Sequence, residues 1–344
     1  MRFDFCIGNP PYQESDGGGT GDSAKPVYDK FVEEGQKICT DSLMMIMPSR
    51  WMKGGKGLDS FREDMINNTS IKCIVDYEKS DQLFRGVHID GGVCYLLIDK
   101  KYNGPCHFTH ISSDGYIDDT IRFLDNKVID TIIRDSRQIS IIEKTSVGDR
   151  FSNIVSYRNP YHVYADFFNH PEKYPNIHLS NTKDEFHNVL IWGVKGIKGG
   201  AKRVFAYVNL SEIKNYVDDI EWKLFFSKAY LTTSTVPPEI IKGYPWDICT
   251  ETFLRIGGFT EKYIMENALS YLKTKFARAL LFFNRHSLNI SKESFCLIPL
   301  QNFTSASDID WSKSVHEIDL QLYKKYGLSD EEIRFIEEKV KSME

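Results

Sequence analysis

The sequence FDFCIGNPPY occupies residues 3–12, and the interpretation of the whole chain depends on it. Aromatic and β-branched residues stand at alternate positions from Phe3 to Ile7, which predicts a short buried strand. Asn9 and two prolines follow the strand, and because proline fixes φ and lacks an N–H, the turn is rigid. Tyr12 then adds a flat ring with a polar tip. The stretch therefore predicts a stiff, polar turn at the end of a strand.

The turn brings two hydrogen-bond acceptors side by side. The amide oxygen of Asn9 and the carbonyl oxygen of Pro10 can together accept both hydrogens of an exocyclic amine. The ring of Tyr12 can stack on the base that carries this amine. The residues thus predict a site for an amino-bearing base, and an ordinary turn at a strand end is the alternative.

The tetrapeptide Asn9–Tyr12 resembles the catalytic motif of the adenine-specific (N6) DNA methyltransferases of restriction-modification systems, of the type I and type IIG kinds. The segment Leu83–Gly92 precedes a further strand and is similar to the loop that closes the methyltransferase sheet in this family. Phe84 and His88, in that loop, are candidates for the second wall of the base pocket.

This resemblance implies a role for each residue of the turn. Asn9 and the carbonyl of Pro10 would hold the adenine amine for direct attack on the methyl group of S-adenosylmethionine. Pro11 would stiffen the turn, and Tyr12 would stack on the flipped adenine. The implied substrate is double-stranded DNA.

Length and composition fit a globular protein of more than one domain. The 344 residues are 41% hydrophobic and 26% charged, as is usual for water-soluble domains. No apolar run is long enough to cross a membrane and no signal pattern opens the chain, which predicts a cytoplasmic protein without membrane contact. The seven cysteines lack CxxC pairs, so we expect neither a disulfide framework nor a metal site.

Alternating strand and helix patterns up to residue 111 predict an α/β fold with a parallel sheet. The resemblance implies that residues 1–111 form part of a Rossmann-like methyltransferase sheet. Strands are expected at Leu43–Met47, Ile71–Tyr77 and Gly91–Ile98, and helices at Pro26–Cys39 and Leu58–Ile66. The same resemblance implies a DNA target-recognition domain of the α+β class at residues 112–300, in which apolar periodicity predicts a helix at Ala268–Leu281. A helical tail is expected at residues 301–344, where Ser329 should cap the last helix.

The positive charge of the chain is concentrated in one block. The whole chain has a net charge of −5, but residues 182–300 carry 16 basic and 12 acidic residues. Within this block, glycines alternate with the basic residues of a predicted hairpin, which would let them approach a phosphate backbone closely. The candidate DNA-binding residues are Lys195, Lys198, Lys202 and Arg203, and a solvated hairpin is the alternative.

The expected cofactor loop is not evident. In the resembled family, a strand and a Gly-rich turn that bind S-adenosylmethionine usually precede the catalytic motif, whereas eight residues precede Asn9 here. We therefore expect one part of a split enzyme, a truncated gene or a remnant, with a separate chain as the possible source of the cofactor-binding half. The cofactor-binding residues are unknown. The glycine-rich segment Glu14–Lys25 is interpreted as a mobile loop near the site rather than a cofactor loop, and it becomes the candidate cofactor site only if the isolated chain binds S-adenosylmethionine.

Two other functions stay open. The chain could be a DNA-binding specificity module whose catalytic turn is vestigial. It could also carry a nuclease, because Glu221-Trp222-Lys223 has the Glu-x-Lys form of metal-dependent nucleases and lies next to Asp218 and Asp219. These acids are too close in sequence to come from separate strands, so a surface charge cluster is the preferred interpretation.

Overall fold

The computed structural model of the chain describes residues 2–14, 25–55, 57–213, 219–231, 234–285 and 289–343. The chain divides into two compact units, Met1–Ser140 and Ile141–Glu344. The first unit thus extends past the expected boundary at residue 111, and the expected tail at 301–344 is part of the second unit. Most of the glycine-rich segment Glu14–Lys25 lies outside the described residues.

Six strands form the sheet of the first unit: β1 (Phe3–Gly8), β2 (Cys39–Pro48), β3 (Ile71–Tyr77), β4 (Val93–Asp99), β5 (Cys106–Ile111) and β6 (Ile117–Arg122). Their order is β1-β2-β4-β3-β5-β6. β1 is parallel to β2, and β3 is parallel to β5, but β4 runs antiparallel between β2 and β3. The predicted α/β class is confirmed, whereas a wholly parallel sheet is wrong. The loop between β3 and β4 contains no crossover helix, which a parallel connection needs.

Helices α1 (Tyr28–Ile38) and α2 (Asp59–Asn67) follow β1 and β2 in the chain, as predicted. Val32 of α1 and Phe61 of α2 are buried in one apolar cluster with Leu43 of β2. Successive side chains of a strand point to opposite faces of its sheet. The two helices therefore cover the sheet face on which Leu43 lies.

β1 is an edge strand, and its apolar side chains are exposed. Phe3, Phe5 and Ile7 are 44%, 68% and 83% exposed, so the prediction of a buried strand is wrong. Phe5 pairs with Ser42 and Ile7 with Met44, the two neighbours of Leu43 in β2, whose side chains point to the opposite face from Leu43. These side chains therefore lie on the sheet face that α1 and α2 do not cover. Apolar alternation in the sequence could not distinguish this face from a buried one.

The second unit contains two small sheets. Its strands are β7 (Val189–Ile197), β8 (Gly200–Val208), β9 (Trp222–Ser227), β10 (Ile241–Gly243), β11 (Ile248–Cys249) and β12 (Phe253–Phe259). One sheet has the order β11-β7-β8 and the other β10-β9-β12. β7 and β8 form the predicted hairpin, with antiparallel pairing along its whole length.

Five further helices complete the described chain: α3 (Ser136–Thr145), α4 (Lys262–Lys273), α5 (Lys275–Phe283), α6 (Val315–Lys325) and α7 (Asp330–Lys339). None of the helices in the described ranges is long and apolar enough to span a bilayer. Ser329 caps α7 together with Glu332, as predicted.

The sequence predicts one helix at Ala268–Leu281, but the structure has two. Thr274 has an extended backbone, with φ −60° and ψ 149°, and it separates α4 from α5. Its hydroxyl oxygen accepts a hydrogen bond from the N–H of Ala277, which caps α5. Threonine is a preferred N-cap residue, so the break has a local cause that apolar periodicity does not reveal.

Candidate active site

Polar residues stand where several strands of the first unit end. β1, β2, β3 and β5 run in the same direction, and Asn9 and Ser49 directly follow β1 and β2. Asp76 and His110 are the second-last residues of β3 and β5. The carboxyl ends of parallel strands are where open α/β sheets bind their ligands. This end of the sheet is therefore the candidate active site.

The turn after β1 is attached to the rest of the unit through Tyr12. Pro10 is buried, Asn9 is exposed, and the half-buried Tyr12 packs against the apolar cluster. The N–H of Val27 donates to the Tyr12 carbonyl at 3.3 Å. Burial raises the pKa of the Tyr12 phenol, although a hydrogen bond with the Asn9 side chain opposes this. The structure thus brings Asn9 and Tyr12 into contact and leaves Asn9 accessible.

A buried ionic network holds this end of the sheet together. Asp76 is fully buried and accepts hydrogen bonds from the Ser49 hydroxyl and His110 Nδ1, both at 2.6 Å. Arg134 donates Nε and Nη2 to the two carboxylate oxygens, at 2.6 and 2.7 Å. Its Nη1 donates to the Gly91 carbonyl at 3.0 Å. The network joins β2, β3 and β5 to the loop before β4.

The charge of Asp76 is maintained despite its burial. Burial alone would raise the pKa of this carboxyl group, but the Arg134 guanidinium and the His110 hydrogen bond outweigh it and lower the pKa to about 2. None of these residues is among the site residues predicted from the sequence. The available signal was a carboxylate near the end of the apolar strand at Ile71–Tyr77, but its partner Arg134 is 58 residues away in sequence.

The segment Leu83–Gly92 lies at the same end of the sheet, because it joins the end of β3 to the start of β4. The Ser80 hydroxyl donates to the Val87 carbonyl at 2.6 Å and accepts from the N–H of Ile89 at 2.8 Å, which fixes the loop. Phe84 is half-buried and His88 is exposed. In the strand order β2 lies between β1 and β4, the strand that this loop enters, and the pocket-wall role of the two residues stays a prediction.

Four polar side-chain atoms near the carboxyl ends of β1 and β2 lack a partner. Tyr28 Oη and Asp29 Oδ1, at the start of α1, and Arg50 Nε and Trp51 Nε1, just after β2, are buried without a hydrogen bond within the described ranges. Buried polar atoms in folded proteins almost always have a partner. Unpaired acceptor and donor atoms at this end of the sheet are consistent with a polar ligand.

The glycine-rich turn in the described part of the first unit has no room for a group of S-adenosylmethionine. A glycine-rich turn precedes α2, but the N–H of Gly55 already donates to Asp59 Oδ1 at 3.1 Å. Arg62 Nη1 also donates to this oxygen, at 2.7 Å. A Cβ atom on Gly54 would lie 1.5 Å from Arg62 Nη1, so the protein's own side chains fill the space. We therefore assign no described residue to cofactor binding.

In the second unit, the structure divides the four predicted DNA-binding residues into two groups. Lys195 lies directly opposite Lys202 across the hairpin, both are exposed, and Lys198 is exposed in the turn. Arg203 points to the other face, where Nη1 pairs with Glu239 at 3.1 Å. Like charges placed directly opposite each other are unfavourable unless something neutralises them. Lys195 and Lys202 therefore fit an anionic partner better than Arg203 does.

The residues proposed as a nuclease site form an internal ionic cluster. Lys223 is fully buried and lies 3.0 Å from Asp219, and Arg255 donates to Asp219 at 2.7 and 2.8 Å. Arg255 also pairs with Glu221 at 3.1 Å. The preferred interpretation as a surface cluster is thus wrong for Lys223 and Asp219, which are buried. Asp218 lies outside the described residues, and the described ones contain no group of three possible metal ligands.

Two sequence matches agree with the first unit. Residues 1–84 match the family model described as Eco57I restriction-modification methylase. The chain is also 36% identical over 106 residues to a Mycoplasma pneumoniae protein described as an uncharacterized adenine-specific methylase. The N-terminal part is similar to restriction-modification methylases. The aligned residues are 30% of this chain and 25% of that relative, so the chain spans about a quarter of the relative's length.

Two restriction enzymes of known structure resemble the chain more distantly. The type IIL restriction-modification enzyme MmeI, whose structure was solved in complex with DNA, is 11% identical to this chain and gives a TM-score of 0.41. The match covers 97% of this chain and 56% of the MmeI chain. The type IIG restriction endonuclease BpuSI is 12% identical, covers 92% and 48%, and gives a TM-score of 0.35. Both scores are below 0.5, so these structures add nothing to the sequence matches.

Proposed function

We propose that this chain carries the adenine-binding half of a site-specific DNA methyltransferase that modifies the N6 amine of adenine in a restriction-modification system. The observation that carries the proposal is the rigid, accessible Asn9 turn at the carboxyl end of β1, attached through the half-buried Tyr12. The family match at residues 1–84 supports it.

The turn supplies what an extruded adenine needs. The Asn9 amide oxygen and the Pro10 carbonyl accept the two amine hydrogens, which orients the amine, and Pro11 keeps the turn stiff. Tyr12 stacks on the base, while Phe84 and His88 form the opposite wall. Extrusion costs a few kcal/mol of lost pairing and stacking, which these contacts offset.

S-adenosylmethionine supplies the electrophilic methyl group when bound. Because the glycine-rich turn before α2 is filled by Asp59 and Arg62, the contacts that hold this cofactor come from outside the described residues. They belong to a polypeptide segment in this chain's protein or to a separate chain.

The edge of the sheet supports the presence of such a segment. Within the described residues, β1 is hydrogen-bonded on one side only, and its Phe5 and Ile7 side chains are 68% and 83% exposed. Proteins normally cover parallel strands on both faces and protect open edges. A segment that adds a strand beside β1 and covers Phe5 and Ile7 would complete the sheet next to Asn9.

The second unit is proposed to bind double-stranded DNA as a target-recognition domain. Its support is the exposed Lys195, Lys198 and Lys202 of the hairpin, with Arg203 as a further, partly neutralised contact. The same observation also favours a second candidate function, a DNA-binding specificity module that transfers no methyl group.

An experiment at the native gene locus separates the two functions. Asn9→Ala should abolish N6-methyladenine in the genomic DNA, measured by mass spectrometry of digested DNA, while DNA affinity of the purified protein stays unchanged. The matched control is Asn103→Ala, because Asn103 is exposed between β4 and β5, at the opposite end of the sheet. Retained methylation in the Asn9 variant would exclude the assignment of this residue, and absent methylation in the wild type would favour the specificity module.

A further inference from the structure

A second group of positive charges lines a cleft of about 800 Å³ within the second unit. One wall is the inner side of the β7–β8 hairpin, which contributes Val194 and Arg203. Lys228, directly after β9, lies in the cleft, and Arg158 and Lys292 also line it. Lys195 and Lys202 point to the other side of the hairpin, because side chains alternate along a strand. The cleft is therefore distinct from the exposed lysine pair.

The cations of the cleft differ in how they are neutralised. Arg158 pairs with the carboxylate of Glu251, and Arg203 pairs with Glu239. The ammonium of Lys292 lies 4.3 Å above the centre of the Tyr157 ring. In the parts of the chain that the structure describes, neither Lys228 nor Lys292 forms an ion pair within 4.0 Å, but Lys228 also has no aromatic ring beside its ammonium. Lys228 is thus the cation that is best placed to receive an anion.

The backbone of Lys228 is fixed on both sides, and its side chain is partly removed from water. The backbone N–H donates to the Thr252 carbonyl at 3.1 Å, and the backbone carbonyl accepts from the N–H of Ile290 at 2.6 Å. Burial lowers the pKa of the half-buried ammonium, and Arg158 adds to this effect, although the charge of Glu251 opposes it. A phosphate in the cleft would relieve this unfavourable environment.

We propose that this cleft binds a backbone phosphate of DNA, with Lys228 as the central contact and Arg158 and Lys292 at its mouth. The mouth suits a polymer, because the side chain of Arg158 is 77% exposed and Tyr157 is 72% exposed. A charged groove with an aromatic ring is a common way to hold a nucleic-acid backbone. The proposal rests on the proposed DNA-binding role of the second unit and adds a phosphate site to it.

The first test measures protection of lysines in the full-length protein. Duplex DNA should slow the acetylation of Lys228 by acetic anhydride several-fold, as read by mass spectrometry, and should leave Lys324 unaffected. Lys324 is an exposed lysine of α6 in the same unit. Inorganic phosphate at the same phosphate concentration should give no protection. Protection by inorganic phosphate alone would overturn the DNA assignment in favour of a free-anion site.

The second test measures how DNA affinity depends on salt. Loss of one phosphate contact lowers the slope of log affinity against log salt concentration by about 0.9. The factor by which DNA affinity falls between 50 and 200 mM salt should therefore be about 3.5-fold smaller for Lys228→Gln than for the wild type. Lys228→Arg should retain the wild-type slope, which separates lost charge from disturbed folding. Lys324→Gln removes the same charge elsewhere and should also retain it.

The outcomes separate this proposal from the proposed function. An unchanged slope in Lys228→Gln overturns the cleft as a phosphate site, even if the protein methylates DNA. A reduced slope combined with absent N6-methyladenine at the native gene locus supports the cleft and counts against the methyltransferase. If the wild-type protein binds no duplex DNA, both proposals fail.

Discussion

Arg134 and Asp76 form a two-pronged ion pair, in which Nε and Nη2 of the guanidinium donate to the two carboxylate oxygens at 2.6 and 2.7 Å. Asp76 is fully buried, and the side chain of Arg134 is 13% exposed. Because Arg134 also binds the Gly91 carbonyl, the pair connects the sheet to the loop that contains Phe84 and His88. Removal of either partner would leave an uncompensated buried charge.

We expect Asp76→Asn to lower the free energy of unfolding of the first unit by about 3 kcal/mol at pH 7. The pKa of Asp76 is about 2, below the ordinary value of 3.8, so the carboxylate contributes stability above about pH 4 and loses it as the pH falls toward 2. The difference between wild type and variant should therefore narrow over this range.

Hydrogen exchange of the β3 amides gives this measurement for the first unit alone. The control is Asp64→Asn, at an exposed carboxylate on α2, which should change the exchange rates little. A difference between wild type and Asp76→Asn that stays constant from pH 5 to pH 2 would contradict the ionic role of Asp76.

The hairpin lysines lead to a second prediction. Lys195→Gln combined with Lys202→Gln should weaken DNA binding. Because each phosphate contact contributes about 0.9 to the slope of log affinity against log salt concentration, the loss of two contacts should lower this slope by about 1.8. The folded hairpin should not lose stability, because the change removes two like charges that lie opposite each other.

The control for the hairpin is Lys262→Gln combined with Lys324→Gln, which removes the same charge from exposed positions on α4 and α6. DNA titrations by fluorescence anisotropy at several salt concentrations give the slopes. Equal slopes for the two double variants would show that the hairpin lysines do not contact DNA and that the hairpin is only solvated.

Local patterns predicted most elements of the first unit. α1, α2, β3 and β4 lie within two residues of their expected bounds, because their apolar periodicity is set by neighbouring residues in sequence. β2 begins four residues before its predicted start at Leu43, where Cys39–Ser42 interrupt the apolar run. The capping box at Ser329 was also readable, since its two partners are three residues apart.

Features that depend on distant residues were not predictable. Whether Phe5 and Ile7 are buried depends on what lies beside the edge strand, and their alternation is the same in either case. The partners of Asp76 come from three separate segments, so no spacing in the sequence connects them. By contrast, the opposite orientation of Arg203 and Lys202 was predictable from the assigned hairpin, because neighbouring side chains of a strand point to opposite faces.

The exposed edge of the sheet gives a third prediction. Phe5→Thr combined with Ile7→Thr should leave the purified protein folded, because both side chains are mostly exposed, and should lower its binding of the apolar dye ANS. At the native gene locus, N6-methyladenine should fall at least about 10-fold, because the segment proposed to cover β1 would lose apolar contacts of a few kcal/mol.

The matched control is Ile117→Thr combined with Ile121→Thr, at residues 61% and 72% exposed on β6, the opposite edge of the same sheet. This control should also lower ANS binding but leave methylation intact. Equal methylation in both double variants would show that the β1 edge needs no covering segment.

The last prediction concerns S-adenosylmethionine. A glycine-rich turn lies between β2 and α2, just before the helix begins. The side chains of Asp59 and Arg62 fill the space beside this turn. An anionic or polar ligand group would have to displace the Asp59 carboxylate from the N–H of Gly55 and separate it from Arg62. We therefore expect calorimetry of the purified 344-residue chain to show no micromolar binding of the cofactor, and we expect no methyl transfer by this chain alone. Micromolar binding would contradict this and would place the cofactor site in the chain itself. Asp59→Ala would then locate the cofactor site, because it removes the carboxylate that occupies the turn before α2. Cofactor binding at this turn should become stronger, whereas binding at the glycine-rich segment after Tyr12 should stay unchanged.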